Sequence, residues 1–274
     1  LEKEGLNGKI RRMERKNLRI IKNKELAENF FWMEIENGFS EEFFPGQFIH
    51  IKIPPFFLRR PFSVAKMERE KLCILYQIKG KGTETLSKKK DGEYLDIIGP
   101  LGNGFPFKEK WKKVYLVGGG TGIAPLIFLS ENLRKKCDDV VFFYGARNKK
   151  LIFKSILPEN IEIVFSTEDG SFGYKGKITE VLINRLDKDI PDVVFSAGPE
   201  GMLKEIGVIS KKYRIPCYVS VERRMGCGMG LCYGCVIKVK KGKGWEYVRV
   251  CKEGPVFNVE DIIWEDEQVE YQSR

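Results

Sequence analysis

Four cysteines near the C-terminus carry the most specific chemistry in the chain. Cys227, Cys232, Cys235 and Cys251 are spaced C-x4-C-x2-C, then fifteen residues, then C. Three thiolates on one tight loop, joined by a fourth from a following strand, is the ligand order of a [2Fe–2S] cluster. Gly226, Gly228, Gly230 and Gly234 interleave the loop. Glycines there let backbone N–H groups approach cluster sulfides that side chains would hold away. Two other uses of these thiols stand beside this one. A structural zinc site favours two C-x2-C pairs, and only Cys232 and Cys235 make such a pair. Disulfides need an oxidising compartment, whereas the chain has an odd seven cysteines and a charged rather than signal-like start. Cys73, Cys137 and Cys217 sit in or beside apolar runs and read as small buried hydrophobes.

A second constellation is the run Gly118-Gly119-Gly120-Thr121-Gly122, between the β-type segment Val114–Val117 and an apolar helical segment from Ala124. A glycine turn from buried strand to helix lets a phosphate meet N–H groups at the helix N-terminus, although a tight structural turn would use the same residues. The spacing is neither G-x-G-x-x-G nor a P-loop, since no G-K-[ST] follows, which disfavours ATP hydrolysis. Gly198-Pro199 also follows a buried run, Val193–Ser196. Two such turns at one edge of a parallel sheet flank a single crevice, the geometry of a dinucleotide site.

His50 is the chain's one histidine. A His-rich zinc site, an H-E-x-x-H protease and a two-histidine metal centre are therefore excluded, and a Ser-His-Asp hydrolase would rest on that residue alone. The chemistry belongs to a bound cofactor. The net charge is +10, from 48 Lys+Arg against 38 Asp+Glu, but the lysines are scattered. Lys88–Lys90 and the broken run Lys238–Lys243 are short clusters on a solvated surface, not an aromatic-interleaved stripe for nucleic acid. With 42% hydrophobic and 31% charged residues the chain reads as folded. No apolar run reaches the roughly 18 residues of a membrane-spanning helix.

These residues need elements to hold them. Short β-type runs at Leu18–Ile21, Phe30–Ile35, Gln47–Ile53, Lys71–Ile78 and Tyr94–Ile98 predict a small antiparallel barrel or sandwich. After Phe107, apolar strands alternate with helical segments, which predicts a parallel sheet buried on both faces, with Ile215–Val221 as its last strand. A compact Gly- and Cys-rich segment follows. The expected division is an antiparallel β-barrel over 1–107 with a charged extension at 1–15, an α/β nucleotide-binding unit over 108–215, and a small cluster unit over 216–274.

Several stretches resemble the ferredoxin-NADP reductase-like superfamily. Arg60-Pro61-Phe62-Ser63 is similar to its R-x-[FY]-[ST] flavin motif, Gly118 to Pro125 to its G-G-G-x-G-x-[AT]-P nucleotide loop, and Gly198-Pro199 with Met202 to its C-G-P-x-x-M turn. Arg59-Arg60-Pro61, Gly80-Lys81-Gly82-Thr83, Gly99 to Phe105, the cysteine loop and Cys251 to Phe257 most resemble electron-transfer subunits of type B dihydroorotate dehydrogenases. The resemblance implies an FAD-binding barrel, an NAD-binding α/β domain and a [2Fe–2S] domain. It implies FAD held by Arg60, Pro61, Phe62, Ser63, Leu75, Tyr76, Gln77, Gly82 and Thr83. It places NAD on Gly118, Gly119, Gly120, Thr121, Gly122, Gly198 and Pro199. The partner it implies is an FMN-containing dihydroorotate dehydrogenase catalytic subunit of pyrimidine biosynthesis, in a cytoplasmic heterotetramer of two of each chain. Equivalent subunits of a hydrogenase, a sulfide dehydrogenase or a sulfite reductase, or a standalone NAD(P)H-ferredoxin reductase, are the alternatives. Ala197 departs from the wider superfamily, which usually has the Cys of C-G-P there, beside the nicotinamide. Arg147, Lys149 and Lys150 follow a strand and could meet the 2′-phosphate of NADP, whereas the resemblance implies NAD.

Overall fold

The structure, a computed structural model, describes residues 12–264. The first part is a closed antiparallel barrel of β1 (Glu14–Ala27), β2 (Phe30–Glu36), β3 (Phe48–Lys52), β4 (Arg60–Met67), β5 (Lys71–Gln77) and β6 (Tyr94–Leu101), in the order β1-β2-β5-β4-β3-β6. A short helix, α1 (Lys81–Ser87), links β5 to β6. Ile20, Met33, Ile35, Ile49, Ile51, Val64, Leu72 and Ile74 fill its interior, each essentially inaccessible to solvent. Of the charged extension expected at the start, residues 1–11 lie outside the described residues, and Glu14 and Arg15 already pair with Gly99 and Ile98. β4 was not among the expected strands: Pro61 interrupts its donor pattern, and the edge it shares with β3 pairs regardless.

The second part is a seven-stranded sheet. It contains β7 (Lys113–Gly119), β8 (Asp139–Ala146), β9 (Glu162–Thr167), β10 (Tyr174–Lys175), β11 (Val193–Ala197) and β12 (Cys217–Ser220) in the parallel order β10-β9-β8-β7-β11-β12. Alternate residues of β7 face opposite sides. Val114 and Leu116 pack with Ile123, Ile127 and Leu133 of α2 (Ile123–Leu133), whereas Tyr115 and Val117 pack with α3 (Ile178–Leu186) and α4 (Glu200–Tyr213). A strand buried on both faces needs the near-continuous apolar run Val114–Val117. The same logic explains α2, which is apolar almost all round because it lies between the sheet and β4 of the barrel.

The last part is a three-stranded antiparallel sheet of β13 (Val236–Lys241), β14 (Gly244–Arg249) and β16 (Ile262–Ile263), ordered β14-β13-β16. One strand of this region, β15 (Val256–Asn258), leaves it to pair antiparallel with β12 at the edge of the large sheet. β12, expected as the last strand of the parallel sheet, is its last parallel strand, and β15, from the segment expected to be a cluster unit, extends the same sheet by one antiparallel strand. Cys235, Cys251 and Ile237 share one buried cluster with Phe48 and Leu101 of the barrel and Val219 of β12.

Candidate functional site

The strand order reverses direction at β7. β8, β9 and β10 run off on one side of it, and β11 and β12 on the other. A crevice opens at such a switch point, beyond the carboxyl ends of the strands. Gly118 pairs in register with Ala197, so the turns that follow β7 and β11 stand side by side. Gly122 is needed for that closeness, because a Cβ there would come within 2.5 Å of the Ala197 backbone. Gly120 adopts a φ of +57°, and nothing lies within 4 Å of where its Cβ would be. Its backbone is open to the crevice.

That crevice has a volume of about 840 Å³ and is bordered by Gly119, Gly120, Thr121, Gly122, Gly198 and Pro199. A second cavity of about 210 Å³ is bordered by Pro61, Phe62, Ser63, Leu75, Tyr76, Gln77 and Thr83. Gln77, Thr121, Gly122 and Gly198 border both, so the two share a wall. Three expected site residues stand elsewhere. Gly118 is buried within β7, where a Cβ would meet Ile123 and Leu126, so its smallness serves helix–strand packing. Arg60 donates to the carbonyls of Leu58 and Arg59, at 2.7 and 3.3 Å, and rests against Gly82, whose added Cβ would lie 3.1 Å from its Nε. Phe62 and Tyr76 border the cavity while their rings pack edge to face in the barrel core, and Tyr76 donates to Asn23.

The walls also include residues that motif reading missed. Glu222 and Arg223 border both cavities, and Arg223 is held by Glu200 at 2.7 Å. Glu168 borders the crevice beyond β9, as does, beyond β8, Arg147, which the sequence had already offered to a 2′-phosphate. The available signal was position alone: each lies just past the carboxyl end of a sheet strand.

Asp96 braces the barrel beside the flavin-like motif. Its carboxyl, hydrogen-bonded by Arg15 and, against some burial, by Arg59, is held below the usual carboxylate range.

The four expected cluster cysteines come together. Cys251 lies beside Cys235 and against Gly230 of the loop that carries Cys227 and Cys232. Backbone N–H groups converge on them: Gly230 donates to Cys251 at 3.1 Å, Leu231 and Cys232 to Cys227 at 3.3 and 3.4 Å, and Cys251 to Cys235 at 3.4 Å. Burial raises the Cys227 thiol, but the N–H groups of Met229, Cys232 and Leu231 outweigh it and bring the pKa down to about 6. Burial, with Cys235 alongside, pushes Cys251 up to about 12. Among the described residues no three His, Cys, Asp or Glu side chains converge as around one ion. Four thiols, three from one loop and the fourth from the turn after β14, are the ligand number and order a [2Fe–2S] cluster takes. A Cβ on Gly226 or Gly234 would lie 3.2 or 3.5 Å from the Cys232 sulfur, so the glycines keep room around it. Cys73 and Cys217, by contrast, are buried on β5 and β12, and burial pushes each up to about 12. They are core residues.

Comparison with known proteins gives the family and the fold. The iron–sulfur cluster binding domain of dihydroorotate dehydrogenase B matches residues 222–263. The dihydroorotate dehydrogenase B (NAD(+)) electron transfer subunit of Caldanaerobacter subterraneus subsp. tengcongensis is 40% identical over 248 residues, covering 90% of this chain and 97% of that one. The subunit of the same name from Enterococcus faecalis is 39% identical over 264 residues, covering 92% and 100%. Among solved structures, a chain of the NADH-dependent reduced ferredoxin-NADP oxidoreductase, described for flavin-based electron bifurcation, superposes with a TM-score of 0.81 at 31% identity, covering 90% of each chain. A ferredoxin NADP+ reductase from Neisseria gonorrhoeae with bound FAD and NADP shares the fold, with a TM-score of 0.63 at 20% identity, covering 77% of this chain and 94% of that one. The chain belongs to the family of dihydroorotate dehydrogenase B electron transfer subunits.

Proposed function

We propose that this chain relays electrons between NAD(H) and an FMN-containing dihydroorotate dehydrogenase catalytic subunit, through FAD and a [2Fe–2S] cluster. The observation that carries this is the wall shared by the two cavities, which would set a nicotinamide against a flavin. Bound here, a flavin supplies the exchange between two-electron hydride chemistry and the one-electron chemistry of an iron–sulfur cluster. The chain's residues do the placing. Gly119 to Gly122 and the N-terminus of α2 offer backbone N–H groups to the NAD diphosphate, and Gly198-Pro199 close the other side. Ala197, buried at the end of β11, keeps a small side chain near the hydride-transfer position. Pro61 to Ser63, Leu75 to Gln77 and Thr83 form the flavin wall, with Arg60 and Gly82 beside them for the FAD diphosphate. Cys227, Cys232, Cys235 and Cys251 hold the cluster.

Cys232 is exposed, flanked by Leu231 and Tyr233, which are 76% and 58% exposed. That face suits close approach by the partner subunit. The assembly contains two of each chain and is cytoplasmic; no helix among the described residues is long and apolar enough to cross a membrane. The test is the mass and cofactor content of the native complex. About one FAD and one two-iron cluster per copy of this chain is expected, with FMN on a copurifying subunit and dihydroorotate-dependent reduction of NAD. A lone monomer without an FMN-containing partner, passing electrons to a ferredoxin, would instead identify a standalone reductase.

A further inference from the structure

His50 sits where two parts of the molecule meet. On β3 its register partners are Pro61 of β4 and Ile98 of β6, so its backbone neighbours the flavin-side strand. The side chain is fully buried, and neither ring nitrogen has a hydrogen-bond partner of good geometry. Buried polar atoms in folded proteins are nearly always paired, so an orphaned imidazole indicates a use. What faces the ring is the turn that follows the first cluster ligand. A Cβ built on Gly228 would lie 2.4 Å from Nδ1 and 2.7 Å from Cε1, and the backbone of Cys227 is the polar group that approaches the ring. Gly228 itself has a φ of +73°. The imidazole thus occupies the space that any side chain at 228 would take.

We infer that His50 is a positioning residue for the cluster: its ring N–H donates to the Cys227 carbonyl and fixes the Cys227–Gly228 turn against β3. The inference rests on the assignment of a [2Fe–2S] cluster to the four cysteines. An imidazole carries at least one ring N–H donor in either tautomer, so the buried ring always has a proton to place. Groups that orient metal ligands tune the potential of the metal they serve. β3 is itself braced, since Arg59 donates to the His50 carbonyl at 3.4 Å and to the Asp96 carbonyl at 2.8 Å. Through this contact the strand next to the flavin motif sets the position of the cluster's first ligand.

Because the chain has one histidine, [15N]histidine labelling reports on this ring alone. In the native complex the imidazole N–H should be protected from solvent exchange, and its signal should shift or broaden when the cluster is reduced. His50→Leu fills the site without a donor. It should leave FAD content and flavin bleaching by NADH unchanged, alter the electron paramagnetic resonance of the reduced cluster, and shift its one-electron equilibrium about tenfold, or about 59 mV. His50→Asn, whose amide nitrogen reaches the place of Nδ1, should restore the wild-type signature. A His50→Leu cluster with wild-type potential and spectrum would overturn the inference, as would an Asn variant impaired equally, since that is a packing effect. Should the Leu variant not fold, a wild-type imidazole N–H that exchanges freely and ignores cluster reduction overturns it equally. Wild-type complex lacking iron would overturn the cluster assignment itself.

Discussion

Cys232 is the exposed member of the four thiols, whereas Cys235 and Cys251 are buried. Replacing Cys232 by Ser removes the ligand nearest solvent while leaving the core-facing pair in place. Flavin bleaching by NADH should survive, and reduction of the partner's FMN should be lost, as followed by anaerobic rapid mixing. A folded variant that lacks its cluster yet reduces the partner at the normal rate would show that the cluster is structural. Asp96 supports a second prediction. Its folded pKa lies below the ordinary 3.8 because Arg15 and Arg59 hydrogen-bond its charged form. A depressed carboxylate contributes stability above the unfolded pKa and loses it as pH falls through the folded one. Asp96→Asn should therefore cost about 1–2 kcal/mol at neutral pH. The gap from wild type should close below about pH 4 in denaturant titrations. At this scale the sequence was legible wherever the chemistry fixes a local spacing. The C-x4-C-x2-C run lies within one loop, so chain distance predicted spatial distance. His50 and Arg223 were not legible as site neighbours, because His50 meets Gly228 and Arg223 meets Glu200 only after remote segments fold together.

At the scale of elements, the loop between β7 and α2 makes the sharpest claim. Gly120 holds a left-handed φ of +57° with open space beyond it, on the crevice wall. Valine there would strain the backbone by roughly 1–2 kcal/mol and project a branched side chain to where a diphosphate should sit. Gly120→Val should raise the KM for NADH about tenfold or more, at roughly 1.4 kcal/mol per decade, with FAD content unchanged. Unaltered NADH kinetics would mean the crevice binds something else. The buried strands β2, β3, β5, β7, β8 and β11 were readable because their apolar runs are long and bounded by turns. β4 was not, since it opens with the Arg60-Pro61 pair. The β13–β14 hairpin was hidden inside what read as a lysine cluster. There Val236, Ile237 and Val239 alternate imperfectly with lysines, and Lys238 lies over the Trp245 ring at 4.8 Å, so its charge is part of the hairpin's exposed packing.

Across the whole molecule, two stretches that carried the family resemblance prove to be each other's partners. Asn103, in the Gly99–Phe105 stretch, donates from its side chain to the carbonyls of Glu253 and Val256 at 2.7 and 3.3 Å and accepts from the Val256 N–H at 3.1 Å. Its backbone N–H donates to Gly254 at 2.7 Å, and a Cβ on Gly102 would lie 2.6 Å from Pro255. Nothing local in either stretch reveals this joint, since about 150 residues separate them. Its position explains why both are chemically particular. It ties the end of β6 to the segment carrying Cys251, just before β15 enters the large sheet. Replacing Asn103 by Ala removes three side-chain hydrogen bonds, one exposed and two part-buried, at a cost of about 1–2 kcal/mol. The cost should fall on one side of the joint. The barrel is a closed sheet with its own core, whereas the cysteine segment relies on this docking and on its metal. Iron should leave Asn103→Ala at a lower temperature than in wild type while FAD release is unchanged, measured by cluster absorbance and flavin fluorescence in one thermal ramp. If both cofactors leave together at a single lowered temperature, the molecule unfolds as one cooperative unit and the joint is not a boundary between parts.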